Sequence, residues 1–340
     1  MTKILFGVCG VGYGHAVRSR ILIEYLKKKH EVMIIAGMCA HSYLKDLKNI
    51  YWVDGLEFAF KNERVANLNT IFKNIKKISN KNYSQLKNLK NKIDKFKPDA
   101  VISDWELFSV YYAKDKKIKL TCFDNEHYLL KGDYKIPAWH KIDYLKAYFI
   151  TKLYDVENII CVILPGQKFK KNSNILSVMP IIRKQLINKK PNNKDFILVY
   201  KSIARFDNLA EVLKKSNDNF VIYGYDIEKK EDNLTFKKFS EDGFCKDLIN
   251  CKAVICSAGM NLIGEALYLK KPLYLIPVKG HFEQILNAAY VKENNYGDVC
   301  EEIKSENVNK FLSDNYKTVN FEAGNEKLFK LVDEFLRGTK

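Results

Sequence analysis

Three glycines, a histidine and an arginine crowd the start of the sequence in GVCGVGYGHAVRSR, where Gly10, Gly12 and Gly14 lead to His15 and Arg18. An apolar run precedes them and a helical period follows, so the stretch reads as a strand, a glycine-rich turn and an amphipathic helix. Glycine lets backbone approach a ligand closely, and the opening turn of a helix attracts anions. An imidazole placed there has a pKa suited to taking a proton near neutral pH. His15 is thus a candidate general base, with Gly12, Gly14 and Arg18 on the acceptor or phosphate side. The dinucleotide fingerprint fails because His15 stands where its third glycine belongs and no acid closes the next strand, in VMIIAGMCAH. A Walker loop is excluded, since no G-K-[ST] occurs.

Asp104 ends the apolar run PDAVISD. A carboxylate beside an imidazole fixes its tautomer and stabilises the imidazolium. Glu106 follows, and FDNEH puts Asp124, Glu126 and His127 at the end of another run. Any one of these could simply cap a loop, but their convergence at strand ends favours a site. Glu126 and His127 are expected on the acceptor side.

A second constellation begins at Ser257-Ala258-Gly259-Met260-Asn261, which follows the run Ala253–Cys256 and leads into a helix carrying Glu265. Small residues at a strand-to-helix turn expose backbone N–H groups at the positive end of a helix dipole, a seat for a diphosphate. Glu265 can accept from sugar hydroxyls. Further on, Glu283, Gln284 and Asn287 offer donors and acceptors suited to a polyhydroxylated ligand.

These residues need a frame of strands with loops at one edge. Apolar runs rich in Val, Ile and Tyr recur at Ile4–Val8, Val32–Ala36, Ala100–Ser103, Leu120–Phe123 and Ile159–Leu164, then at Phe196–Tyr200, Phe220–Tyr223, Ala253–Cys256 and Leu273–Pro277. Helical-period stretches separate them. Such alternation predicts α/β architecture with two doubly wound parallel sheets, joined between about Pro165 and Asn193. Ligands in such folds sit at the carboxyl ends of the strands, here across a cleft between two domains. Residues 322–336 read as a closing helix.

Composition bounds the function. The 340 residues are 47% hydrophobic and 29% charged, which excludes intrinsic disorder for the bulk of the chain. Fifty-seven basic residues against 40 acidic ones give a net charge of +17. Residues 61–97 hold eleven basic side chains and only Glu63 and Asp94 as acids, with apolar residues at three- and four-residue steps. That segment reads either as a surface helix with solvated lysines or as an amphipathic helix lying on an anionic membrane surface. Eight cysteines without a C-x-x-C predict reduced thiols, a cytoplasmic protein and no metal centre. No apolar run approaches the ~18 residues of a membrane-spanning helix, and no secretory signal is visible. A nucleic-acid-binding protein is the other reading of +17, but no RNA-binding, zinc-finger or helix-turn-helix motif accompanies the charge. No nucleic-acid partner is expected.

SAGMNLIGEALYLKKPLYLIPVKGHFEQILNA, residues 257–288, resembles the nucleotide-sugar signature of GT-B glycosyltransferases in the UDP-glycosyltransferase and MurG-like group. GVGYGHAVRS is similar to the glycine-rich, histidine-terminated loop of the same enzymes. The resemblance implies two Rossmann-like domains, an acceptor domain at 1–165 and a nucleotide-sugar domain at 166–321, with a helix at 322–340 crossing back to the first. It gives Ser257, Gly259, Met260 and Asn261 the diphosphate, Glu265 the ribose, Glu283 and Gln284 the donor sugar, and His15 with Asp104 the acceptor proton. The implied reaction is an inverting transfer from a nucleotide-sugar, a UDP-sugar above all, to a hydroxyl of a glycan or glycolipid, without a cofactor. The absence of D-x-D fits a metal-independent enzyme. Plant-type members carry histidine at the position of Ser257 and serine at that of Leu262, so the donor contacts depart from theirs. A nucleotide-sugar epimerase or hydrolase on the same fold and a silent sugar-binding module are the alternatives. Cytoplasmic residence, with docking on the inner face of the membrane through 61–97, completes the expectation.

Overall fold

A computed structural model of the chain describes residues 1–54, 60–61, 64–65, 81–171, 173–201 and 209–338. It divides into two compact units, Met1–Ile181 with Gly324–Lys340, and Ile182–Ala323. Each is an α/β unit built on a seven-stranded sheet.

In the first unit the strands are β1 (Lys3–Val8), β2 (Glu31–Ala36), β3 (Ile50–Trp52), β6 (Ala100–Asp104), β7 (Lys119–Asp124), β8 (Asn158–Val162) and β9 (Leu176–Val178), with β4 (Phe60–Lys61) and β5 (Arg64–Val65) forming a separate antiparallel pair. The sheet order is β3-β2-β1-β6-β7-β8-β9, and every pairing in it is parallel. Its strands are apolar on both faces because helices cover both. These helices are α1 (Gly14–Leu26), α2 (Met38–Leu44), α3 (Lys81–Phe96), α4 (Leu107–Lys116), the single turn α5 (Tyr128–Lys131) and α6 (Lys141–Lys152).

The second unit contains β10 (Ile197–Tyr200), β11 (Phe220–Tyr223), β12 (Lys229–Glu231), β13 (Leu234–Lys237), β14 (Ala253–Cys256), β15 (Leu273–Leu275) and β16 (Gly297–Val299) in the order β12-β13-β11-β10-β14-β15-β16. Only β12, at the edge, pairs antiparallel. Its helices are α7 (Leu209–Lys214), α8 (Glu241–Asn250), α9 (Met260–Tyr268), α10 (Phe282–Glu293) and α11 (Ser305–Ser313).

The last helix, α12 (Asn325–Leu336), belongs to the first unit. Leu328 and Val332 have no exposure and join Leu22, Val178 and Ile181 in one apolar cluster. Tyr25 stacks on Phe329 with ring centroids 4.0 Å apart, and its hydroxyl donates to Asp333 at 2.7 Å. Gly324 opens this segment because a Cβ there would lie 2.0 Å from the Met179 carbonyl oxygen.

The longer strands fall where the apolar runs predict them. β3, β9, β12, β13 and β16 lie outside the predicted runs: they are as short as β10, β11, β14 and β15, but polar residues such as those of KKE in β12, LTFK in β13 and GDV in β16 break the apolar pattern. β9 lies in a stretch of loop composition, and its pairing with β8 carries the first sheet past Pro165. Within 61–97, residues 66–80 lie outside the described part. In α3, Leu89 and Ile93 are buried and Leu86 and Phe96 are half-buried against the same core. That helix therefore turns its apolar face inward and its lysines outward.

Because Leu328 fills a closed site, Leu328→Ala should cost about 2–5 kcal/mol and lower the urea midpoint. An unchanged midpoint would place α12 outside the first unit's core.

Candidate active site

Strand order in the first sheet reverses between β1 and β6, the switch point at which open α/β sheets leave a crevice beyond their carboxyl ends. The loop after β1 and the end of β6 flank it. Gly12 takes φ +72°, where a side chain would be strained, and so lets the chain turn into α1. Gly10 is small for another reason: a Cβ would stand 2.7 Å from the Gly37 carbonyl oxygen, so the loops after β1 and β2 close on each other. The Cys9 N–H donates to the Asp104 carbonyl at 2.9 Å and ties the loop to β6.

Asp104, with no exposure, collects four donors. The His15 Nδ1 lies 2.8 Å from Oδ1, Arg18 donates through Nε at 2.8 Å and Nη2 at 2.5 Å, and the Ser19 hydroxyl donates at 2.7 Å. Arg18 also reaches the Asn125 side-chain oxygen, and its Nη2 stands 3.5 Å from Glu126 Oε2. The His15 Nδ1 has both Asp104 and, at 2.9 Å, the Arg18 Nη2 beside it. Arginine has only protons to offer, so a proton on Nδ1 must go to the carboxylate, and the approach to Arg18 is not a hydrogen bond. Neutral His15 then carries its lone pair on Nε2, which faces Glu126 Oε1 at 3.5 Å.

The charges fit this arrangement. Burial opposes the imidazolium, but Asp104 and Glu126 outweigh it and lift the His15 pKa above its ordinary 6.5. Burial would raise the Asp104 pKa, yet Arg18 and His15 hold it down to about 2. Asp104 therefore stays ionised at every physiological pH.

Three expectations for this edge are revised. Arg18 is 1% exposed and turned to carboxylates, so it is not open to a phosphate at the mouth of the helix. His127 has no exposure and points Nδ1 at both oxygens of Asp124, at 2.9 and 2.8 Å, which takes it off the acceptor surface. Burial disfavours its charged form, but Asp124 outweighs this and raises its pKa. Glu106 caps α4, accepting from the Phe108 and Ser109 N–H groups at 2.9 and 2.6 Å. Gly14 is the first residue of α1.

Among the described residues one group has atoms close enough together to hold a metal ion: Cys122, Asp124 and His127, all buried. Sequence spacing did not disclose it, although Cys122 and Asp124 share a face of β7 by strand period. Burial pushes the Cys122 thiol well above its usual range, and the His127 Nδ1 is already engaged by Asp124. The set reads as a buried histidine–carboxylate pair beside a protonated thiol, and the thiol is a poor match to the thiolate a metal needs, although the His127 Nε2 has no partner.

In the second sheet the order reverses between β10 and β14, and Ser257–Asn261 extend from β14 at that switch point. Gly259 is the N-cap of α9 and has no side-chain cap, and a Cβ on it would meet nothing within 4 Å. No side-chain cap takes up the N–H groups of the first helical turn, and the space beside Gly259 is open, a setting in which a helix start attracts anions. Glu265 is 2% exposed, and Arg183 grips both its oxygens, with Nε at 2.7 Å and Nη2 at 2.5 Å. Burial acts against the Arg183 charge, but Glu265 outweighs it and raises the pKa. Sequence reading missed Arg183, since it lies in a loop far along the chain from Glu265. Asn287 donates to the Ala258 carbonyl at 3.1 Å and to Glu283 at 2.7 Å, linking the turn to the start of α10. Gln284 accepts from the Val278 N–H at 3.0 Å and so shapes the preceding loop.

A family model described as Glycosyl transferase family 1 matches residues 2–315. The chain belongs to this family. An uncharacterized glycosyltransferase of Methanosarcina mazei is 26% identical over 325 residues, 87% of this chain and 85% of the relative. A UDP-N-acetylglucosamine–N-acetylmuramyl-(pentapeptide) pyrophosphoryl-undecaprenol N-acetylglucosamine transferase of Clostridium botulinum is 27% identical over 201 residues, 51% of this chain and 56% of the relative. The crystal structure of the calicheamicin glycosyltransferase CalG4 superposes with a TM-score of 0.65 at 16% identity, covering 100% of both chains. The protein is a glycosyltransferase of the GT-B fold, in the UDP-glycosyltransferase and MurG-like group.

Removing Arg18 would leave Asp104 buried without its main counter-charge. Arg18→Met should cost about 3–5 kcal/mol in denaturant unfolding. A loss below about 1 kcal/mol would mean that His15 and Ser19 suffice to hold the carboxylate.

Proposed function

We propose that the enzyme moves a sugar from a nucleotide-sugar, UDP-linked by preference, to a hydroxyl of a saccharide or lipid-linked acceptor, with inversion at the anomeric carbon and without a metal. The observation that carries this reading is the His15–Asp104 pair, which leaves the Nε2 lone pair on the proton-accepting side of the ring. Attack of the acceptor oxygen forms the new glycosidic bond as the bond to the diphosphate breaks, and the acceptor proton goes to Nε2. Asp104 stabilises the imidazolium so formed.

The second unit supplies the leaving-group chemistry. N–H groups of the first turn of α9, with Ser257 and Asn261 beside them, take up the negative charge that builds on the departing diphosphate. The sequence holds no D-x-D triplet for a divalent cation. Ribose hydroxyls donate to lone pairs that Arg183 leaves open on Glu265, since each carboxylate oxygen can accept more than one bond. Glu283, steadied by Asn287, and Gln284 contact the sugar. Glu126, opposite Nε2, borders the acceptor hydroxyl together with the Gly12–Gly14 turn. The donor reading draws on the Clostridium botulinum relative, whose name specifies UDP-N-acetylglucosamine and an undecaprenol-linked saccharide. Eight free cysteines, six of them buried, suit a reducing cytoplasm.

A thermal-shift screen over nucleoside diphosphates and their sugars identifies the donor, because a ligand of the folded state raises apparent stability by mass action. His15→Ala should then lower kcat by roughly 10²–10⁴ with donor KM little changed, whereas Glu265→Gln should act mainly on donor KM. Unimpaired transfer by His15→Ala removes the base assignment. Donor consumed at full rate without an acceptor would favour the hydrolase alternative.

The pH profile follows from the sign of the His15 shift. The base works when neutral, and its pKa lies above 6.5, so kcat/KM should fall with acid from a midpoint above 6.5. Glu126→Gln removes one of the charges that raise it and should move that midpoint to lower pH. A midpoint that stays put would disconnect Glu126 from the base.

A further inference from the structure

Helix α6 packs Ile150 against the core but turns a row of large apolar side chains to solvent. Ile142 is 68% exposed, Leu145 50%, Phe149 67% and Leu153, just past its end, 43%, while Trp139, just ahead of it, is 93% exposed. At 100° per residue the first four fall in a stripe roughly 80° wide. Thr151, the buried residue of the helix, lies on the opposite side. Lys141 and Lys152 border one edge of the stripe and Lys146 the other, and Asp143 is the only acid on the helix. Isolated exposed apolar residues are ordinary, but a continuous apolar stripe with a basic border marks a surface that meets something.

We propose that this face of α6, together with Trp139, docks on the surface of an anionic lipid bilayer. Charge selects this occupant. Residues 135–153 hold Lys135, Lys141, Lys146 and Lys152 against Asp143 alone, in a chain of net charge +17. A second copy would bring like charge to like charge. Lipid headgroup phosphates instead complement the lysines, while the boundary with the acyl chains accepts the stripe. Tryptophan at the end of the stripe suits that boundary, where its ring is half in apolar and half in polar surroundings. Lysine-rich helix α3 offers no such face among its described side chains, because Leu89 and Ile93 are in the core and Leu86 and Phe96 pack against it.

The position of α6 gives the docking a purpose. α5, which directly follows Asn125, Glu126 and His127, packs against α6. A bilayer under α6 thus lies beside the carboxyl edge of the first sheet, where a lipid-linked hydroxyl would be presented. This last step rests on the proposed acceptor. The docking itself needs no turnover and stands or falls separately.

The test is flotation of the full-length protein with vesicles of phosphatidylcholine alone or with about one-third phosphatidylglycerol. Binding to the anionic vesicles should be at least about tenfold tighter and should weaken with salt. Brominated lipid should quench tryptophan fluorescence in the wild-type protein, and Trp139→Phe should remove most of that quenching. Leu145→Ser with Phe149→Ser should lower binding about tenfold or more with far-UV circular dichroism and Tm unchanged, as expected for exposed positions. Replacing Lys87, Lys90, Lys92 and Lys95 of α3 by Gln should leave a clear preference for anionic vesicles. Should the double serine variant fail to fold, Lys141→Gln with Lys146→Gln and Lys152→Gln serves in its place. The proposal is overturned if wild-type protein ignores vesicles, if these variants bind as well as wild type, or if binding follows the α3 lysines alone. A wild-type dimer in sedimentation that the double serine variant makes monomeric would also overturn it, by assigning the face to a second copy.

Discussion

A carboxylate with no solvent exposure can stay ionised only where donors surround it, and the first unit's site is largely the set of donors that Asp104 requires. His15 and Arg18 stand three residues apart on α1, which puts both on the helix face toward the end of β6. Ser19 joins them from the next position. The first turn of α1 is thereby bolted to the central strand, and the glycine-rich loop between them has little choice of path. The arrangement also resolves a local conflict. Positive charge at the start of a helix is unfavourable, and Arg18 and a protonated His15 would add to it were Asp104 and Glu126 not there.

The second unit follows the same logic at Glu265. Arg183 forks onto both its oxygens, and Phe244 lies under the guanidinium with the ring centroid 5.1 Å away. In both units, then, a buried arginine is paired with a buried carboxylate, and in the proposed mechanism attraction for a diphosphate comes from backbone N–H groups at the start of α9. The net charge of +17 is consequently not a property of the site. In the described part of 61–97 it lies on the outward face of α3, and elsewhere it borders the stripe on α6.

Sequence pattern made the frame legible because buried parallel strands are nearly continuous apolar runs, and loops at their carboxyl ends mark where ligands bind. The pairing of His15 with Asp104 could be anticipated from strand ends alone. What could not be read were partners set by register between distant elements: Arg18 and Asp104 are 86 residues apart, Arg183 and Glu265 82. A lysine or arginine near a glycine-rich loop looks like a phosphate ligand until its burial is known. His127 misled for the same reason, since nothing in FDNEH tells that Asp124 takes up the imidazole. In 61–97 the sequence shows an amphipathic period, and only packing reveals that α3 turns its apolar face in, whereas the outward stripe of α6 shows itself only in the exposure of its side chains.

In the proposed mechanism the carboxylates that hold His15 also set a compromise in its strength as a base. Asp104 and Glu126 make His15 more basic than a free imidazole, so each neutral molecule takes a proton more readily. The same two charges leave fewer molecules neutral near pH 7. Arg18 moderates both effects, because its charge lowers the His15 pKa while it neutralises Asp104. The guanidinium thus does more than fill a buried gap. It keeps the carboxylate that orients His15 from stabilising the imidazolium so strongly that the proposed base is seldom neutral, which is a reason for arginine, charged at all pH values, to stand beside the pair.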